Sequence, residues 1–162
     1  MRRFPVSSRI AALTAVALLL GATSCNDLND PDGSEAVPLV TQISVSGTSV
    51  AATTTDVVAT LTVKVNNRSG STTSFFNDVT FDSFSVVYTP TGVVPDVTIG
   101  VISTGFVPAG GTGTLALTMV AGSSKSGVSA GTVVNGAVHV EGQDALGNPV
   151  SFDVSVAIQF TS

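Results

Sequence analysis

Three groups of side chains in this 162-residue chain could carry chemistry: one cysteine, one histidine and a few carboxylate pairs. Cys25 stands in "LLLGATSCND", directly after an apolar run. A lone thiol cannot close an internal disulfide. His139 lies between Val138 and Val140. In a strand of period two those valines face the core, so the imidazole points outward beside Glu141. A histidine base needs a nucleophile and an orienting group, and a zinc site needs three or four ligands. The chain has no second histidine and no free cysteine to spare. Ser and Asp are numerous enough to complete a Ser–His–Asp set by count, yet nothing resembles G-x-S-x-G. The expected role of His139 is that of a solvated surface residue.

The carboxylates pair as Asp78 with Asp82 and Glu141 with Asp144. Glycosidase chemistry needs two carboxyls about 5–9.5 Å apart across a sugar cleft. No Trp and a single Tyr, Tyr88, leave little surface on which a sugar could stack. These acids therefore read as turn and surface residues. Glu141 and Asp144 with a backbone carbonyl could hold calcium at a loop end, which is the weaker reading. "DLNDPDG" fails as an EF-hand loop, because Leu28 and Leu39 fall at its first and twelfth positions. "AGGTGTL" (109–115) precedes a strand, whereas a phosphate loop opens a helix. Asn67-Arg68-Ser69 matches a glycosylation acceptor by pattern only. No catalytic, cofactor-binding or metal residue is expected, and no cofactor.

Composition sets the class. Charged residues make up 10% of the chain, against roughly 25% in ordinary soluble domains. Val, Thr, Ser and Gly take their place, and branched Val and Thr suit a pleated strand. Arg2, Arg3 and Arg9 precede the apolar run, while only Lys64, Arg68 and Lys125 follow it. After Cys25, three cations stand against eleven acids, leaving −8. A surface so acidic repels phosphate backbones, so nucleic acid is excluded as a partner.

The N-terminus explains the cysteine. "MRRFPVSSR" is a basic leader, and "IAALTAVALLLGA" (10–22) is an apolar run of thirteen residues. That is short of the roughly 20 needed to span a bilayer and has the form of a secretory signal peptide. Its end, Ala22-Thr23-Ser24-Cys25, resembles the lipobox of bacterial lipoproteins. Ser24 and Thr23 fit that pattern, while Ala22 stands where Leu is commonest. The resemblance implies that the Cys25 thiol receives a diacylglyceryl group and that cleavage leaves Cys25 as a lipidated N-terminus. At about 0.8 kcal/mol per buried CH₂, two or more chains hold a domain on a membrane almost permanently. "NDLNDPDGSEAVP" (26–38) follows, rich in acids, Pro and Gly, with no apolar periodicity. Such a segment reads as a solvated tether.

From Leu39 onward the period is close to two. In "VSFDVSVAIQF", Val150, Phe152, Val154, Val156, Ile158 and Phe160 alternate with polar or small residues. "VVATLTVKVNN" repeats the pattern with Val57, Ala59, Leu61, Val63 and Val65. One dry face and one wet face define a half-buried antiparallel strand. Further strands are expected at 39–46, 79–89, 96–103, 113–120 and 134–143. In 79–89 the phase slips between Phe81 and Phe84, which predicts a bulge near Asp82-Ser83. Phe75, Phe76, Phe81, Phe84, Phe106, Phe152 and Phe160 supply aromatic bulk for the core. "RSGSTTS", "TPTGVVP", "VPAGGTG" and "GSSKSG" provide turns.

The expected fold is all-β: an immunoglobulin- or fibronectin-III-like antiparallel sandwich of about seven strands. It would occupy 39–162, behind a lipoprotein signal peptide at 1–24 and a lipidated, acidic tether at 25–38. "VEGQDALGNPVSF" and "NDVTFDSFSVVYTP" resemble a group of small bacterial lipoproteins with an Ig-like domain and no assigned function. That resemblance implies architecture and envelope location. The functional expectation is a non-enzymatic, lipid-anchored envelope protein, periplasmic or surface-exposed. It would hold the membrane through its lipid and serve structure or bind an envelope or surface protein. The alternative is a carbohydrate- or calcium-binding surface module. The strand reading has a direct test: Val156→Asp, which would place a charge on the inner face, is expected to abolish folding. A soluble mutant with a cooperative melt would contradict the assignment.

Overall fold

Strands with one apolar face must bury that face against another sheet. A computed structural model of the chain describes residues 36–67 and 75–162. The signal peptide, Cys25, the tether up to Glu35, and Arg68 lie outside the described residues. Two antiparallel sheets face each other. The first has the order β1 (Ala36–Ser46), β2 (Val57–Asn67), β6 (Thr112–Val120). The second has the order β4 (Val97–Val101), β3 (Val79–Thr89), β7 (Val133–Asp144), β8 (Pro149–Gln159). The two-residue β5 (Phe106–Val107) pairs with the start of β3. The chain crosses between sheets after β2, after β5 and again after β6. The antiparallel all-β sandwich expected from the sequence is present, with eight strands in place of about seven. Only two short 3-10 turns, Phe75–Asn77 and Gly122–Lys125, interrupt the strands among the described residues.

The core is the layer between the sheets. On β2, Val57, Ala59, Leu61, Val63 and Val65 are all 0% exposed, while Lys64 on the other face is exposed. On β3 the expected bulge is present as a register shift between Phe81 and Ser83 opposite β7. The extra residue lets Phe81 and Phe84, three apart, both turn inward (0% and 3% exposed). Phe81 meets Phe152 of β8 edge to face, with ring centroids 5.3 Å apart, a favoured geometry for aromatic rings. Two expected core aromatics are not core: Phe76 and Phe106 are exposed. Phe106 pairs with Thr80, the wet position of β3, so β5 turns it outward.

One polar bond spans the layer. The Tyr88 hydroxyl on β3 donates to the Met119 carbonyl on β6 at 2.7 Å, in a buried setting. Met119 lies where the β2–β6 register shifts, so its carbonyl is not taken by the regular ladder. Burial first, and Asp96 second, push the Tyr88 phenol well above its ordinary value, so it stays a donor. Gly136 on β7 sits against this group. A Cβ there would meet Val86 Cγ1 at 2.9 Å, with Met119 Cε and Tyr88 Cε1 both at 3.1 Å.

A second polar anchor closes one end. Lys125 is 1% exposed, and its ammonium donates to the carbonyls of Gly47 (3.0 Å) and Ser49 (2.7 Å). Close by, Gly122 N–H donates to Asp56 Oδ1. The turn between β6 and β7 is thereby fastened to the turn between β1 and β2. Tyr88→Phe keeps the ring and leaves the Met119 carbonyl without its donor. It is expected to cost about 1–3 kcal/mol in denaturant unfolding, with the slope unchanged.

Candidate functional site

The carboxylates sort into two groups by what they touch. Asp56 accepts from Gly122 N–H, Asp78 from Ala109 N–H (2.7 Å) and Asp96 from Tyr88 N–H (2.8 Å). Asp144, 5% exposed, accepts at Oδ1 from the N–H groups of Leu146 and Asn148, both at 2.9 Å. Its Oδ2 takes the Asn148 side-chain amide at 3.0 Å. Gly147, at φ +88°, supplies the left-handed residue this tight loop requires. All four acids are clasps on backbone N–H groups, three in loops or turns and that of Asp96 on strand β3. Asp78 and Asp82 do not converge in a cleft, and Asp144 is turned into its own hairpin, away from any shared site with Glu141. Among the described residues no group of three or more His, Cys, Asp or Glu side chains is placed to hold a metal ion.

The other three acids, Asp82, Glu141 and Asp153, are exposed. Asp82 accepts from the Ser83 hydroxyl. Glu141 and Asp153 surround His139 on the outer face of the second sheet. Strand register sets this up. Ser85 of β3, His139 of β7 and Asp153 of β8 are direct cross-strand partners, in one row. His139 Nδ1 lies 2.7 Å from Asp153 Oδ1, and Nε2 lies 3.5 Å from Glu141 Oε1. Glu141 is two residues along β7, hence on the same face. An open groove of about 400 Å³ runs over this row, bordered by Ser85, Val87, Ala137, His139, Asp153 and Ser155.

Ser, His and Asp thus meet on one face, a convergence that sequence spacing could not show, since Asp153 comes from another strand. The arrangement differs from a hydrolytic set in two respects. The imidazole's second nitrogen faces Glu141, and among the described residues no hydrogen bond joins it to Ser85. The row also lies within paired strands, where β7 is hydrogen-bonded on both sides. The backbone N–H groups of β7 around His139 are spent on the ladders, whereas an oxyanion hole needs free donors aimed at the reacting carbonyl.

The electrostatics of the row are local. The hydrogen bond to Asp153 is the main cause that raises the His139 pKa above the ordinary 6.5, and Glu141 adds to it. A raised folded value means that the pair stabilises the fold fully below the unfolded value. That contribution fades as pH rises through the folded value. Exposure keeps it small: the side chains of His139, Glu141 and Asp153 are 41%, 63% and 85% exposed.

Beside this polar row stands an apolar column. Ile99 and Val101 of β4 are 78% and 77% exposed, and Val87 and Phe106 are more than half exposed. Val101 pairs with Ser83, which pairs with Glu141, so the column and the acids share one face. The outer face of the first sheet is different. Thr60, Thr62 and Lys64 of β2 pair with Ala116, Thr114 and Thr112 of β6, and no acid lies among them.

Comparison with protein-family models, curated proteins and solved structures returned no match. Titration of the His139 ring by NMR is expected to give a midpoint above 6.5. Asp153→Asn should lower it more than Glu141→Gln. A midpoint at or below the ordinary value, or equal effects of the two variants, would contradict this geometry.

Proposed function

We propose that the chain is a non-enzymatic, lipid-anchored protein of the bacterial cell envelope whose sandwich binds another protein. The anchor reading rests on Cys25 and the lipobox-like residues before it. The binding reading rests chiefly on the exposure of Ile99 and Val101 beside Val87 and Phe106 on one sheet face. A contiguous apolar strip rimmed by polar groups is the usual character of an interaction surface. The non-enzymatic reading is supported by the setting of His139, whose second nitrogen faces Glu141 and not Ser85.

The intact mass of the protein from the membrane fraction tests the anchor, measured beside Cys25→Ser. The expected mass is that of a chain beginning at Cys25 plus two or three acyl chains, a signal lost in the variant. A mass without lipid would overturn the anchored reading and leave a secreted domain.

A further inference from the structure

The apolar column and two exposed acids, Glu141 and Asp153, lie on one sheet face. We infer that the outer face of β4-β3-β7-β8 docks a polypeptide segment that carries both aliphatic side chains and Lys or Arg. This rests on the protein-binding reading above and names the partner's chemistry.

Charge complementarity carries the argument. Of the seven acids among the described residues, four accept from backbone N–H groups. The other three make no backbone clasp and are exposed; Asp153 borders the groove, and Glu141 lies beside His139. The two lysines among the described residues cannot serve them. Lys125 is buried on carbonyls, and Lys64 projects from the other sheet. Among the described residues, His139 is the one basic group within reach of Glu141 and Asp153. A partner cation would therefore find carboxylates with little competition from the cations among the described residues.

Geometry adds a spacing. Ile99 and Val101 are on β4, His139 and Glu141 two strands away on β7, and Asp153 three strands away on β8. At about 4.8 Å per strand, the apolar column stands about 10–14 Å from the acids. An amphipathic strand or helix can present a cation and an aliphatic group at that separation. A second copy of this chain fits poorly, because it would bring Glu141 and Asp153 against the same groups. Anionic lipid and nucleic acid meet the same repulsion.

The acids are strongest when His139 is neutral. The titratable groups facing its ring are Asp153 from β8 and Glu141 from β7; β3 presents Ser85. Cation binding is therefore expected to tighten as pH rises through the imidazole transition, and His139→Gln is expected to flatten that dependence.

The test uses the full chain in detergent and a synthetic peptide alternating Lys with Val. Two controls separate the contributions: Glu alternating with Val, and Lys alternating with Ser. The Lys–Val peptide is expected to bind more tightly than either control and to weaken with added salt. Glu141→Gln with Asp153→Asn should weaken it about fivefold or more, at up to about 1 kcal/mol per exposed pair. Ile99→Ser with Val101→Ser should weaken it as well, with unchanged melting in both double variants. Equal binding of the Lys–Val and Glu–Val peptides, or indifference to both double variants, would overturn the inference. A photo-cross-linking residue at position 99 in intact cells separates this from the parent reading. A cross-linked segment bearing Lys or Arg beside aliphatics supports the inference. One lacking cations overturns it while protein binding stands, and no cross-linked protein at all overturns both.

Discussion

The dry layer between the two sheets is the constraint on which everything else depends. No disulfide can tie the sheets, since Cys25 is the only cysteine. What holds them is apolar burial along β2, β3, β6, β7 and β8, together with the buried bond from the Tyr88 hydroxyl to the Met119 carbonyl. A buried Val or Phe contributes about 1.5–3 kcal/mol, so many modest residues together can offset the chain entropy. The layer admits little else. Gly136 is flanked so closely by Val86, Met119 and Tyr88 that even a methyl group would crowd it. Charges are consequently pushed to the loops and outer faces, and the division of labour among the acids follows from that exclusion.

Much of this architecture was legible because a half-buried strand writes its burial into the sequence at period two. The strand 79–89 was readable to its ends, and its phase slip located the bulge at Phe81/Ser83. β1 begins at Ala36, three residues before Leu39, because Ala36 and Val37 pair with Asn67 and Asn66. β5 escaped notice because two residues are too few to show a period. The outward Phe106 escaped with it, since an aromatic residue in a loop-like stretch gives no sign of its direction.

The site was less legible, for a physical reason. Alternation tells which face His139 takes, and Glu141 two residues on follows from the same rule. It does not tell which residue of the next strand lies opposite. That depends on the length of the turn, here the Asp144–Asn148 loop, which aligns His139 with Asp153. Lys125 was hidden for a related reason. In "GSSKSG" it has the look of a solvated turn residue, and only the loop at Gly47–Ser49, far away in sequence, supplies the carbonyls that make its burial tolerable. Long-range partners decided both cases.

The two lysines of the described body have a consequence for how this molecule meets reagents and proteases. Lys125 is enclosed, and Lys64 sits in the central strand of its sheet, paired on both sides with Leu39 and Thr112. A trypsin-like protease must draw a segment into an extended, unpaired form, so neither lysine offers it a ready cut while the fold holds. Amine-directed labels will find Lys64 and little more, and will therefore mark the threonine-rich sheet. The opposite sheet stays silent to such chemistry and becomes visible to reagents that couple to carboxyl groups or to the His139 imidazole.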